Sequence, residues 1–124
     1  MARKDVPTCG LEDLVGDVGE RAEKAGWEVS VVVNEERIVL GLMRAEELAG
    51  DPKQTAEQAM RPGPSTFRPH VPIEEMAEFM VVHDLPTSPI TSSDGRLIGI
   101  LRREDAVRVA HEGHAGHQTD EERT

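Results

Sequence analysis

The sequence predicts an α/β (α+β) fold built from two βαββα repeats, and three observations predict it. Two segments share one shape, Val31-Val-Val-Asn-Glu-Glu-Arg-Ile-Val-Leu-Gly41 and Pro89-Ile-Thr-Ser-Ser-Asp-Gly-Arg-Leu-Ile-Gly99, with 58 residues between their closing glycines. The same offset runs on without gaps, pairing Thr8 with Thr66, Val15 with Ile73, Val18 with Met76, Trp27 with Leu85, Glu47 with Asp105 and Leu48 with Ala106. Few of these pairs are identical; the apolar pattern is what recurs, as a duplicated fold requires. In both halves, helical spacing gives way to short apolar runs bounded by turn residues.

Each repeat opens with a short extended piece, 7–9 and 65–67. A helix follows. Leu11, Leu14, Val15, Val18, Ala22 and Ala25 recur at helical spacing in the first half, and Ile73, Met76, Ala77 and Met80 in the second. Gly26 and the stretch 84–86 end these helices. Two strands come next, 29–33 with 38–43 and 88–91 with 96–101, and Asp94-Gly95 is a hairpin turn signal. The strand sequences are nearly continuous apolar runs, which implies burial on both faces. A last helix starts near Arg44 and near Arg102. Between the halves, Gly50, Asp51 and Pro52 break the chain, Thr55 caps a short helix through Met60, and Arg61-Pro-Gly-Pro64 ends it. The expected organisation is a first repeat over 5–60 with the linker helix, a second over 61–112, and a flexible polar tail over 113–124.

Composition narrows the function classes. The chain has 124 residues, enough for one domain that buries roughly two thirds of its unfolded surface. The net charge is −10 and aromatics are 2%, limited to Trp27, Phe67 and Phe79. Nucleic-acid binders carry a basic footprint or stacking platforms, so no nucleic-acid partner is expected. No apolar run approaches the roughly 20 residues of a membrane helix. The basic start has no apolar stretch after it, so a cytoplasmic protein without a membrane partner is expected. The single cysteine, Cys9, excludes an intrachain disulfide and a cysteine zinc site, and reads as a small buried hydrophobe. His111, His114 and His117 are spaced by three, but Gly113 and Gly116 are expected to interrupt the helix that would align them, so no metal site is expected. There is no nucleophile elbow, no phosphate-binding Gly-Lys-Ser/Thr loop and no Cys-x-x-Cys, and the chain is read as not an enzyme.

The ordered pieces resemble a CBS domain pair over roughly residues 5–111. Ala59-Met-Arg-Pro62 resembles the lead-in to a second CBS repeat. Leu85-Pro-Thr-Ser-Pro-Ile90 and Asp94-Gly-Arg-Leu-Ile-Gly-Ile100 resemble its central hairpin. The family's closing pattern, Gly, two apolar residues, Thr or Ser, any two, then Asp, reads here as Gly99-Ile-Leu-Arg-Arg-Glu-Asp105 and Gly41-Leu-Met-Arg-Ala-Glu-Glu47. The resemblance implies two repeats packed about a pseudo-two-fold axis, with AMP, ADP, ATP or another adenosine derivative held between them and no cofactor required. It implies that Asp105 and Glu47 accept hydrogen bonds from ribose hydroxyls. It also implies that Thr66, Phe67, Thr87, Pro89 and Ile90 line one ligand pocket and Thr8, Val31 and Val32 the other. A homodimer and a separate regulated protein are the partners it suggests, and Phe79, Met80 and Val82 are candidate dimer residues.

Two readings of these residues stay open. An acid in the first turn of a helix also caps it and complements its dipole, so Asp105 and Glu47 could serve the helix alone. Both repeats carry Arg, at 44 and 102, where the family has a hydroxyl. Losing that cap costs about 1 kcal/mol. These arginines either reach for phosphate, which suits a guanidinium fork, or pair with Glu46, Glu47 or Asp105. In the second case they could plug the site, leaving a ligand-free interaction scaffold.

Overall fold

The computed structural model describes residues 3–117, with side chains placed from 3 to 112. In the first repeat, β1 (Thr8–Cys9) leads to α1 (Val15–Lys24), β2 (Ser30–Val33), β3 (Val39–Met43) and a short α2 (Ala45–Leu48). The linker forms α3 (Ala56–Ala59) and β4 (Arg61–Pro62). The second repeat is α4 (Ile73–Val82), β5 (Thr87–Thr91), β6 (Leu97–Arg102) and α5 (Arg103–His117). Its opening strand shrinks to a single parallel pairing of Phe67 with Ile90.

The 58-residue offset survives in the backbone itself. Cys9 pairs with Val32 as Phe67 pairs with Ile90. Arg61 pairs with Leu42 as Arg3 pairs with Ile100. The buried Ser30 hydroxyl donates to the Pro7 carbonyl at 3.2 Å, and the buried Ser88 hydroxyl to the Ser65 carbonyl at 2.6 Å. Left-handed backbone occurs at Gly26 and Asp84, where the first helix of each repeat stops, and at Arg37 and Gly95 in the hairpins. Each pair is again one offset apart. Such conformations favour glycine, and the non-glycine member carries the steric cost.

The two repeats join where Ile38 pairs with its own counterpart, Arg96. Flanking that pair, the Val39 N–H donates to Gly95 O at 3.0 Å and the Leu97 N–H to Arg37 O at 2.8 Å. A residue bonded to its own equivalent lies on the axis relating the halves, so the pseudo-two-fold axis passes here.

The lead-in segments also cross between halves. Residues 61–62 pair with β3 of the first repeat before the chain enters the second, and Arg3 exchanges two backbone bonds with Ile100 of β6 (2.8 and 2.9 Å) before β1 joins the first sheet. The apolar core follows this exchange. One cluster combines Trp27, Val29 and Val31 with Leu97 and Ile100 from the other half. Two further clusters, around Val15, Val18 and Met43 and around Met76, Met80 and Leu101, underlie the helices of each repeat.

Two expectations change. Met80 is fully buried under α4 rather than exposed, because it falls on the same face as Met76 and Ala77; among the described residues Leu14, Phe79, Val81, Val82 and Val107 are the exposed large apolar ones. The backbone of α5 continues through Gly113 and Gly116 to His117, where a break is expected. The rest of the expected tail, 118–124, and the side chains of His114 and His117 lie outside the described residues. Among the described residues no helix is long and apolar enough to cross a membrane.

Two predictions follow the packing. Gly41 is buried beside Met60 and Arg61, and a Cβ there would sit 3.0 Å from the Arg61 carbonyl oxygen and collide with the Met60 sulfur. Gly41→Ala should destabilise the chain by about 1–3 kcal/mol in urea unfolding, in line with overpacked sites. Asp13 holds the loop before α1: the Gly10 N–H donates to its carboxylate at 2.9 Å, and Arg21 pairs with it at 3.2 Å. The Gly10 bond, helped by Arg21, holds its carboxyl below the usual range against the opposing effect of burial. A lowered folded-state value gives stability that is complete above about pH 4, the ordinary carboxylate value, and is lost as pH falls below it. Asp13→Asn should therefore flatten the acid limb of a stability–pH curve and leave its slope at neutral pH unchanged.

Candidate functional site

β3 and β6 run outward from the axis, and each feeds directly into the last helix of its repeat. Around the N-terminal ends of α2 and α5 the two halves leave a cleft of about 640 Å³, within the range of small-molecule sites. Its lining respects the offset: Glu28 with Pro86, Val29 with Thr87, Arg44 with Arg102, Ala45 with Arg103 and Glu46 with Glu104. Gly26 and Trp27 complete it. The cleft therefore straddles the axis and belongs to both repeats. Three guanidiniums and three carboxylates line it, a local balance set against the net charge of −10.

The two arginines at the cap positions have different surroundings. Arg44 precedes α2 and lies 3.5 Å from Glu46 and 3.9 Å from Glu47. Its Nε is buried without a hydrogen-bond partner. Arg102 instead stacks its guanidinium over the Trp27 ring, 4.0 Å from the centroid, with Arg3 over the same indole at 5.5 Å. Trp27 is buried and its Nε1–H donates to Asp5 at 3.3 Å. Arg103 pairs with Asp84 at 2.7 Å. The Thr87 hydroxyl is a second buried polar atom with no partner. A buried polar atom left unpaired is costly, so two of them in one cleft need an explanation.

The first-turn acids also differ. Glu47 accepts the Arg44 backbone N–H at 2.8 Å and the Arg61 Nε–H at 3.1 Å. The first of these is a helix cap. The reciprocal half of a capping box is absent because a guanidinium has no acceptor. Asp105, 17% exposed, takes only Arg108 on its own helix, at 3.2 Å.

Of the residues expected from sequence, the cleft brings together Thr87, Arg44 and Arg102. Asp105 and Glu47 sit in the adjoining first turns and do not line it. Val31, Val32, Phe67, Pro89 and Ile90 are buried, and Thr8 and Thr66 are half-buried at the strand entries; none of these reaches the cleft wall. Cys9 is buried, and burial pushes its thiol up, so it behaves as a core residue. His83 lies against Phe79, with ring centroids 4.2 Å apart. Among the described residues no group of side chains could hold a metal ion.

Beyond those three, the cleft wall was not expected from sequence, Trp27, Glu28, Pro86 and Arg103 among its residues. The offset itself carried the signal: Gly26 and Asp84 are the left-handed stops, and the residues after each stop face one another across the axis.

The Trp27 stack is testable on its own. Arg102→Ala should cost about 0.5–2 kcal/mol, the range of a partly desolvated cation–π contact, and should shift the emission of Trp27, the chain's single tryptophan. Unchanged emission would mean the stack does not persist in solution.

Residues 56–112 match the family model of the CBS domain. The fold is similar to solved CBS-pair structures. CBSX2 in complex with AMP is 20% identical, with 92% of this chain and 93% of that chain covered and a TM-score of 0.81. The CBS domains of a transcriptional regulator from Streptococcus pneumoniae are 18% identical, covering 87% of this chain and 92% of that one at a TM-score of 0.78. The cytosolic domain of the Mg2+ channel MgtE in complex with ATP is 23% identical, covering 88% of this chain and 46% of that one at 0.80. This chain thus spans less than half of the MgtE cytosolic domain it matches.

Proposed function

We propose, from the CBS domain match over residues 56–112 and the likeness to CBS-pair folds, that the chain is a non-catalytic regulatory module whose axial cleft takes an adenosine-containing ligand of the AMP, ADP or ATP kind. The observation that carries this reading is the cleft of about 640 Å³ with two buried, unpartnered polar atoms in its wall, Arg44 Nε and Thr87 Oγ1. A polar ligand would satisfy either one once its side chain turned to present it to the cleft. The comparison structures support the chemistry, since CBSX2 was solved with AMP and the MgtE domain with ATP.

In this reading Arg44 and Arg102 hold phosphate from opposite repeats, and Arg102 leaves Trp27 to do so. A guanidinium forks onto two phosphate oxygens, and such charge-assisted bonds are about twice as strong as neutral ones. The resemblance assigns the ribose hydroxyls to Asp105, which lies in the first turn of α5 beside the cleft rather than in its wall. Ligand that touches both halves fixes their relative placement. That shifts a dimer or a partner only if the ligand has unequal affinity for two states. The exposed Phe79, Val81, Val82 and Val107 are the surface through which a homodimer would form, and the regulated partner is a separate protein. A cytoplasmic setting fits these ligands.

One observation favours a ligand-free scaffold as the second reading. The arginines already have partners: Arg102 on Trp27, Arg103 on Asp84 and Arg44 beside Glu46.

Isothermal titration with AMP, ATP, NADH and S-adenosylmethionine separates the two. Binding of at least one adenosine compound, with Arg102→Ala weakening it about tenfold or more (roughly 1.4 kcal/mol per decade) and with Trp27 emission changing on saturation, is the expected result. No heat and no emission change with any of the four would leave the scaffold reading in place.

A further inference from the structure

Arg44 and Arg102 are one offset apart, yet only Arg102 is held on a ring. Its guanidinium lies 4.0 Å from the Trp27 centroid, and the indole is 5% exposed. Among the described residues Arg102 forms no ion pair, whereas Arg44, Arg103 and Arg108 each have an acid beside them. The indole is therefore what holds Arg102 in place.

Trp27 is itself fixed from several sides. Its Nε1–H donates to Asp5 at 3.3 Å, and Val6 and Ile100 belong to the same apolar cluster. Arg3 lies over the ring and exchanges two backbone bonds with Ile100, two residues before Arg102 on β6. The fold does not require this arrangement, because the other half is built without it. Leu85 stands at the place of Trp27 and Gly63 at the place of Asp5. Among the described residues, Arg44 lies over no tryptophan ring.

We infer that the Arg102–Trp27 contact is an autoinhibitory latch, which keeps the cleft arginine from its ligand until the ligand draws it off the indole. This rests on the reading of the cleft as an adenosine site in which Arg102 leaves Trp27 for phosphate. A contact made only in the unliganded state must open before binding, and apparent affinity falls by the fraction of chains in which it is open. Burial of the indole places the contact toward the stronger end of cation–π pairs. Only a ligand that recruits Arg102 meets this cost. Adenosine, which has no phosphate, does not.

The test is titration of the full chain and of Trp27→Leu with AMP and with adenosine. Leucine is what the second repeat carries at this place, so the fold already accommodates it once. Trp27→Leu should bind AMP about two- to thirtyfold more tightly and adenosine no more tightly than before. Trp27→Phe keeps a ring and should also gain affinity for AMP, by less, which keeps the test open if the leucine variant does not fold. In the unsubstituted chain, AMP should move Trp27 emission in the direction in which Arg102→Ala moves it without ligand. Equal or weaker AMP binding in a folded variant, an equal gain for adenosine, or AMP binding with unchanged emission would each overturn the latch and leave the adenosine reading intact. No binding of AMP, ATP, NADH or S-adenosylmethionine to the unsubstituted chain or to either variant would overturn both.

Discussion

Everything in this molecule is arranged around one self-pairing: Ile38 against Arg96, with the Val39–Gly95 and Leu97–Arg37 backbone bonds on either side. Backbone groups removed from water must be paired, and here the start of each hairpin's second strand is completed by the start of the other. The pairing fixes the axis. It also fixes the direction in which β3 and β6 leave that axis, and so where α2 and α5 begin. The cleft is the space left between those beginnings. Crossing of residues 3–9 and 61–67 between the halves adds a second tie, and neither repeat completes its sheet edge or its apolar core alone.

Symmetry of the backbone does not extend to the side chains at the cleft, and the differences have physical causes. Trp27 stands where the second repeat has Leu85, so only one half offers a π face, and Arg102 is the arginine that takes it. Glu47 is long enough to reach back to its own helix's cap position, and Asp105 is not. An acid at Asp5 with no counterpart at Gly63 decides whether the lead-in arginine is drawn away or stays on the first-turn acid. Three single-residue differences give the two halves different side-chain pairings around the cleft.

Much of the fold was legible in the sequence because duplication leaves a periodic trace that needs no identity. The offset located the helices and hairpin strands of both repeats, although the opening strand of the second shrank to one pairing, and the turn residues Gly26, Asp84 and Gly95 marked element ends. Pairing of each lead-in with the opposite repeat was not legible, since Arg61-Pro62 gives no sign of which sheet it joins. The burial of Met80 depended on helix phase, which is hard to fix when Phe79, Met80, Val81 and Val82 are all apolar. The continuation of α5 through Gly113 and Gly116 ran against propensity, a weak prior beside packing. At the site, the cap arginines and Thr87 were legible as departures from a pattern. Trp27 was missed as a site residue because an indole in an apolar stretch reads as core, which it also is.

The central claim is that a small ligand sits on the axis and touches both repeats. Backbone amide chemical-shift mapping of the labelled chain during titration with AMP tests it most directly. The account predicts the largest shifts at 27–29 and 44–46 together with 86–87 and 102–105, from both sides of the axis in one saturable event. Shifts confined to one repeat, or centred on the exposed face of α4, would contradict it.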